Sequence, residues 1–411
     1  MAALLTACSE SSDNGSSGSG GAGNTPTAPA RPTVPEDVST ETGVFDDRIV
    51  FGQSAALSGP AAELGLGMRL GIQAAFEESN RAGGVSGRQL ELVDMDDAYE
   101  PEAAVANTRN LIENEQVFAL IGAVGTPTSR SATPVAAAAD VPYIAPFTGA
   151  GFLRADDWTN IVNLRASYAQ EAEEMVERLT ADLGITRIAV LFQDDSFGRA
   201  GYFGALAALE RREMEPVAIG FYPRNTTAIK SALLDLRAGN PEAVIIVGAY
   251  EPVGTLISWA RHTDFDPVFI TLSFVGANAL ADQLGSDGEG VYVTQVVPFP
   301  FDAETPVVAA YQAALAAHEP DAAPGFVSLE GYIAGRLAIA GLAQCGSAVT
   351  RECFLDALLG ADAIDIDGFM MRFGDGENVT DDNQGSDAVF VTEIGPDGAY
   401  RSVATLTGAR R

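Results

Sequence analysis

Two histidines, His262 and His318, and three cysteines, Cys8, Cys345 and Cys353, are all that the chain offers among the side chains that most often act as general bases, thiolate nucleophiles or soft metal ligands. Neither histidine stands near a serine or cysteine in a nucleophile motif, and no Gly-x-Ser-x-Gly elbow occurs. His318 precedes Glu319-Pro320 and reads as a helix end, and His262 as a surface or capping residue. Gly65-Leu66-Gly67 followed by Gly71 has the wrong spacing for a dinucleotide loop and falls inside a helical pattern, where close helix packing accounts for it. No Gly-Lys-Ser/Thr phosphate loop is present. Asp94, Asp96 and Asp97 lack the glycine and the distal glutamate of a calcium loop. The expectation is a protein without catalytic residues, metal or cofactor.

What remains are polar clusters at strand ends. Gly125-Thr126-Pro127-Thr128-Ser129 separates a short apolar run from a helical pattern, and its free N–H groups and hydroxyls suit a carboxylate. Pro146-Phe147-Thr148-Gly149-Ala150 follows the next apolar run. Asp195-Ser196-Phe197-Gly198 and Ala249-Tyr250-Glu251-Pro252 occupy the equivalent edge further along the chain. Ligands of open parallel sheets bind beyond the carboxyl ends of the strands, so four such edges predict a cleft.

The elements that must position these clusters alternate between strand and helix. The pattern predicts strands over Ile49–Ser54, Leu90–Met95, Phe118–Gly122 and Val141–Phe147, with helices over Ala61–Arg81 and Pro101–Glu115. It restarts with strands over Arg187–Gln193, Val217–Tyr222, Ala243–Gly248, Val268–Leu272 and Val291–Val296, and helices near 199–212, 227–238, 252–262 and 277–284. Helices near 303–317, 326–344 and 350–359 follow, then short strands over Phe369–Phe373, Ala388–Glu393 and Tyr400–Leu406. Arg48-Ile49-Val50-Phe51 and Arg187-Ile188-Ala189-Val190 open the two halves alike, and a single open sheet of this many strands would be unusual. The fold class is therefore α/β: two doubly wound parallel-sheet lobes.

The 411 residues, 47% of them hydrophobic, suffice for two cores. With 56 acidic against 24 basic residues, the formal charge of −32 repels nucleic acid and anionic lipid. No run of 18 or more apolar residues occurs, so no membrane-spanning helix is expected. Leu5-Thr6-Ala7-Cys8 has the form of a lipobox, which makes Cys8 the lipidation site of an extracytoplasmic protein; the seven residues before it are too few for a signal peptide, so residues 1–8 are expected to be its truncated end. Residues 9–46, rich in Ser, Gly, Thr and Pro, predict a flexible tether. Cys345 and Cys353 are either a disulfide, which that compartment preserves, or two unrelated buried thiols.

With these clusters in this order, the chain resembles type I periplasmic binding proteins of the leucine/isoleucine/valine-binding group. The resemblance covers about residues 48 to 400 and rests on Ala56-Leu57-Ser58-Gly59-Pro60, Asn80-Arg81-Ala82-Gly83-Gly84-Val85, Leu92-Val93-Asp94-Met95-Asp96-Asp97, Pro142-Tyr143-Ile144-Ala145-Pro146, Asp195-Ser196-Phe197-Gly198 and Gly331-Tyr332. It implies three crossings between the lobes, near Leu164–Arg165, Val297 and Gln384–Ser386, with one lobe formed by 47–164 plus 298–384 and the other by 165–297 plus 385–411. It implies a hinge that closes over ligand. Thr126 and the segment Thr148, Gly149 and Ala150 would hold a carboxylate, Ser58 would line the pocket, and Phe197 and Tyr250 would close from the other lobe; Thr128 joins the candidate site from the reading of the Thr126–Ser129 turn. Amino-acid binders of this group place a glutamate after the strand ending near Leu272, where it pairs with the ligand ammonium. Here that segment reads Leu272-Ser273-Phe274-Val275-Gly276, so Ser273 and Phe274 enter the candidate site without an acid, and Glu330 is the candidate substitute, with a surface or helix-dipole role as the alternative. The resemblance implies a non-enzymatic, monomeric, lipid-anchored receptor that delivers a small polar ligand, an amino acid or related carboxylate, to an ABC transporter permease. The alternatives are a receptor that presents an amide or other small molecule to a membrane signalling partner, and an enzyme on a doubly wound fold.

Overall fold

The computed structural model describes residues 41–155, 157–373 and 383–408. Cys8, residues 1–8 expected to end a signal peptide, and most of the expected tether lie outside the described residues.

Strand β1 (Arg48–Ala55) is buried along nearly its whole length, as a continuous apolar run between two helical layers must be. Helix α1 (Ala62–Arg81) follows, then β2 (Gln89–Asp96), α2 (Pro101–Glu113), β3 (Ala119–Ile121), α3 (Thr126–Ala138), β4 (Tyr143–Ile144) and β5 (Ile161–Val162). The five strands form one parallel sheet in the order β2-β1-β3-β4-β5. The run 141–147 yields only two strand residues, because Pro142 and Pro146 lack the N–H groups a longer ladder needs.

The chain then leaves for a second sheet. Helix α4 (Tyr168–Ala181) opens on a capping box in which Ser167 and Gln170 satisfy each other's backbone. It leads to β6 (Ile188–Gln193), α5 (Ser196–Glu210), β7 (Ile219–Tyr222), α6 (Lys230–Ala238), β8 (Ala243–Val247), α7 (Tyr250–His262), β9 (Val268–Thr271), a 3-10 turn at Ser273–Val275, α8 (Ala277–Leu284) and β10 (Tyr292–Gln295). The chain returns to the first lobe through α9 (Pro306–His318), α10 (Phe326–Cys345), α11 (Arg351–Leu359) and the hairpin β11 (Ile364–Ile366) with β12 (Phe369–Met371). It ends in β13 (Phe390–Ile394) and β14 (Tyr400–Ser402), which join the second sheet antiparallel, giving the order β14-β13-β10-β9-β8-β6-β7. The fold is a two-lobed α/β clamp with mostly parallel sheets. Two of the segments that connect the lobes run side by side, where Asn163 pairs with Gln384.

Helix α10 is the described helix that most resembles a membrane span. Its 20 residues are long and apolar enough to cross a membrane, although broken by Glu330 and Arg336. Its apolarity serves the core instead: α10 lies along α1 so closely that a side chain on Gly71 would meet the backbone of Ser328, and one on Gly331 would meet that of Met68. Gly65 likewise accommodates the backbone of Ala56, which is the packing role expected of these glycines. At the end of α10, Cys345 and Cys353 stand with Cα atoms 6.0 Å apart and their sulfurs joined.

Candidate functional site

The first lobe builds its wall at the carboxyl ends of β2, β3 and β4. Asp97 Oδ1 accepts the backbone N–H of Tyr99, forming a tight turn that holds Tyr99 at φ +62, a conformation few non-glycine residues adopt. The Tyr99 ring lies over Gly125, where a Cβ would come 2.1 Å from it; Gly125, at φ +100, is therefore required twice over. Thr126 opens α3 with Pro127 in the first turn, and the Thr126 and Thr148 hydroxyls are 2.7 Å apart. Thr148 Oγ1 also accepts the Ala150 N–H at 3.3 Å. The first-turn N–H groups of α3 have no acceptors within their own helix, so this end of the lobe favours an anion. Thr128 is different: its hydroxyl turns back to the carbonyls of Val124 and Gly125 and serves its own helix. Ser58 is held at the rim by Asp96, 2.5 Å from its hydroxyl.

The second lobe answers with aromatic rings. Asp195 caps α5 by accepting the N–H groups of Phe197 and Gly198 at 2.9 and 3.0 Å. That cap aims Phe197 inward, where it is fully buried. Phe274, on the turn before Gly276, lies 4.3 Å from the Phe197 ring centre, 5.4 Å from Phe147, 6.0 Å from Tyr99 and 6.5 Å from Tyr168. Two of these rings come from each lobe, so Phe274 sits where the lobes meet. The hydroxyl of Tyr168 lies by Thr148, and that of Tyr99 by Gln193, yet neither completes a hydrogen bond, although both are buried. Burial pushes the Tyr168 hydroxyl up to about 12 and that of Tyr99 well above its ordinary value, so both remain protonated donors.

One residue before Phe274 the chemistry changes. The Ser273 hydroxyl and N–H donate to Glu171 at 3.0 and 2.9 Å, and Thr294 Oγ1 donates to it at 2.5 Å. Arg165, fully buried at the first crossing, donates to Glu171 at 3.3 Å and to Ser273. Its guanidinium lies 4.8 Å over the Phe147 ring. Glu330 approaches the same guanidinium from the first lobe at 3.5 Å; it is 3% exposed, which removes the surface role considered for it. Burial lifts its carboxyl to about 7, against the pull of Arg165, while the neighbouring Glu171 lifts it further.

Contacts across the cleft show the lobes closed. Arg224 and Asn225 from the second lobe reach Glu100 of the first at 2.6 and 2.7 Å, and Asn278 donates to the Pro324 carbonyl at 3.1 Å. The Tyr250 hydroxyl reaches the backbone of Glu63 at the rim. Two grooves border the shut cleft: one of about 710 Å3 touches Gly149 and Tyr168, and one of about 190 Å3 runs between Glu63, Gly276 and Ser328.

The structure thus brings Thr126, Thr148, Gly149, Ala150, Phe197 and Phe274 together, sets Ser273 and Glu330 behind them on Arg165, and leaves Ser58 and Tyr250 at the rim. Sequence reasoning missed Tyr99, Tyr168, Arg165 and Glu171. The Asp97-Ala98-Tyr99 turn after a strand was the one local sign of Tyr99. Arg165 and Glu171 stand six residues apart, but the partners that gather them into a buried cluster, Ser273, Thr294 and Glu330, lie more than 100 residues away, so nothing local marks it.

Two parallel-sheet lobes, three connecting passages and a cleft at the strand ends define a hinged binding clamp. The chain belongs to the periplasmic binding protein family, whose profile matches residues 48–399. A solved structure described as a possible leucine/isoleucine/valine-binding protein from Rhodopirellula baltica SH 1 is 38% identical, with a TM-score of 0.81 over 90% of this chain and 98% of that one. A substrate-binding periplasmic protein from Ralstonia solanacearum is 28% identical, with a TM-score of 0.81 over 86% and 99%. Leu/Ile/Val-binding protein homolog 7 of Brucella abortus (strain 2308) is 27% identical over 249 residues, 58% of this chain and 62% of that protein. These relatives are solute-binding proteins, not enzymes, and the family's location is extracytoplasmic.

Proposed function

We propose that this protein captures a small carboxylate-bearing solute, an amino acid or a related acid, between its lobes and delivers it to an ABC transporter permease, tethered through a lipidated Cys8 and working as a monomer. The observation that carries this reading is the hydroxyl pair Thr126–Thr148 at the start of α3, facing aromatic rings of the opposite lobe. An anion docked there gains N–H and hydroxyl hydrogen bonds, while the rings exclude water from its apolar part. Leu/Ile/Val-binding relatives support the amino-acid side of the proposal. The Cys345–Cys353 bond fits the oxidising compartment.

Thermal unfolding in the presence of amino acids and of their deaminated analogues tests the reading. A ligand at a hundredfold its dissociation constant stabilises the fold by about 2.7 kcal/mol. Thr126→Val, which keeps shape but loses the hydroxyl, should weaken binding by about 1–3 kcal/mol with little change in the unliganded melting temperature. A panel in which no carboxylate shifts the melt would overturn the proposal. Cys8→Ser, expressed from a full signal sequence, should move the protein from the membrane to the soluble fraction; an unchanged distribution would remove the anchor.

A further inference from the structure

The buried cluster behind the cleft holds two acids on one cation. Arg165 is wholly buried, yet against that burial Glu330 and Glu171 hold its guanidinium above its ordinary value. Glu171 completes the ion pair. It accepts from Arg165 at 3.3 Å, from the Ser273 N–H and hydroxyl at 2.9 and 3.0 Å, and from Thr294 at 2.5 Å. Each of these donors favours a carboxylate in its ionised form. Glu330 is the acid left over. It meets Nη1 of the same arginine at 3.5 Å, longer than a well-formed hydrogen bond, and is itself buried. Ionised, it would leave a net negative charge in a buried place whose cation is already matched.

The two acids come from different bodies. Glu171 lies on α4 and, with Ser273, ties Arg165 to the second lobe. Glu330 lies on α10, in the first lobe. The charged groups that face Glu330 are Arg165 and Glu171. On α1, packed along α10, Met68 and Gly71 stand beside this part of the helix. The titratable neighbours Tyr311 and Tyr332 are turned to Ser328 and Glu78, at 2.6 and 2.8 Å. Tyr168, whose ring lies 6.0 Å from the guanidinium, is a neutral phenol. Burial, opposed by Arg165 and reinforced by the like charge of Glu171, lifts the Glu330 carboxyl to about 7, in agreement with this geometry.

We propose that a proton is a co-ligand of closure: Glu330 takes one up as the lobes shut and releases it as they part, so the clamp closes more readily in acid. This rests on the reading of the molecule as a clamp that shuts on a solute, and adds how that closure answers to pH. With the lobes apart, Glu330 leaves Arg165 and Glu171, meets water and ionises. With the lobes shut, the proton removes the one charge that Arg165 does not balance. The form that binds the proton more tightly gains as pH falls, so solute affinity rises towards acid. A carboxylate solute brings one more negative charge into the closed cleft and strengthens the demand for the proton.

Calorimetric titration of the full chain with 4-methylpentanoate and with leucine, each in two buffers of different ionisation enthalpy, counts the protons exchanged. At pH 7, above the range in which Asp97 titrates, binding should take up about half a proton. The dissociation constant should fall about ten-fold from pH 8 to pH 6. Glu330→Gln, neutral in both forms, should lose the uptake at pH 7 and hold nearly one affinity across that range. The wild-type proton count decides the matter even if the variant fails to fold. Binding without proton uptake would overturn this proposal and leave solute capture standing; where uptake is missing for leucine alone, its ammonium has taken the proton's place, which overturns the proposal equally. If neither solute binds, small-angle X-ray scattering of the unliganded chain decides. A shift towards the compact form between pH 8 and pH 6, present in wild type and absent in Glu330→Gln, upholds the link between proton and closure, and an unchanged wild type would overturn it together with the carboxylate reading.

Discussion

Ser273 and Phe274 are adjacent, yet they belong to regions built on opposite principles. Ser273 enters a charged cluster in which Arg165, Glu171 and Thr294 satisfy one another at the crossing, mostly within the second lobe. Phe274 enters a box of rings drawn equally from both lobes, beside hydroxyls that lack partners. A region whose polar groups are mostly paired inside one body holds its shape whether the clamp is open or shut. A region assembled from two bodies, with polar groups left over, exists only on closure and invites a third party. The first is the frame and the second is the receptor.

Removing the frame should have the largest effect. Glu171→Gln leaves the Arg165 guanidinium buried with only the more distant Glu330 to compensate it, and breaking such a pair costs roughly 3–5 kcal/mol. The loss should appear in unfolding of the unliganded protein, measured by circular dichroism against denaturant. A variant as stable as wild type would mean that the cluster is not the frame.

Glu330 sharpens the contrast, because it faces the same arginine without the hydrogen bonds that Glu171 collects. Its carboxyl is lifted from the usual 4.5 to about 7 by burial. The native state therefore keeps a proton that the unfolded chain releases near pH 4.5. Between that pH and about 7 the native state binds more protons, and stability falls as pH rises, by up to about 1.4 kcal/mol per pH unit. Asp97, lifted to about 6 by burial, adds to the slope only in its lower part. Glu330→Gln should flatten the slope between pH 6 and 7 in particular, so that its melting temperature gains on wild type towards pH 8. Parallel melting curves across that range would show that Glu330 is not the group responsible.

How much of this was legible in the sequence depends on the range of the interaction. The two lobes were legible because each strand-to-helix alternation is local, and so were Thr126, Thr148 and Phe197, which sit in Gly-rich or capped turns at strand ends. Asp195-Ser196-Phe197-Gly198 was legible as a strand-to-helix edge, while its cap on α5 came only with the structure. Thr128 shared the motif with Thr126, but one helical position turned its hydroxyl inward to Val124 and Gly125. Glu330 looked free because its partner Arg165 is distant in sequence, and buried ion pairs leave no periodic trace. Tyr99 was hidden by its backbone: no residue type announces a tyrosine at positive φ.

The smallest effect belongs to the latch at the mouth of the cleft, where Arg224 meets Glu100 at 2.6 Å across the lobes. Both side chains are partly exposed, at 23% and 45%, so the pair is screened by water and contributes on the order of 0.2–1 kcal/mol. Unlike the Arg165 cluster, it forms only when the lobes meet. Its whole contribution therefore biases the open–closed equilibrium, and none of it need stabilise either lobe. Arg224→Ala should leave the unliganded melting temperature unchanged and weaken ligand binding up to about five-fold. Salt separates this from a general loss of affinity, because added ions screen an exposed pair and leave a buried one largely untouched. Wild-type affinity should fall towards that of Arg224→Ala as salt is raised, and the two should converge at high salt. A gap that persists at high salt would place Arg224 in contact with the ligand itself, and the latch would then belong to the receptor region.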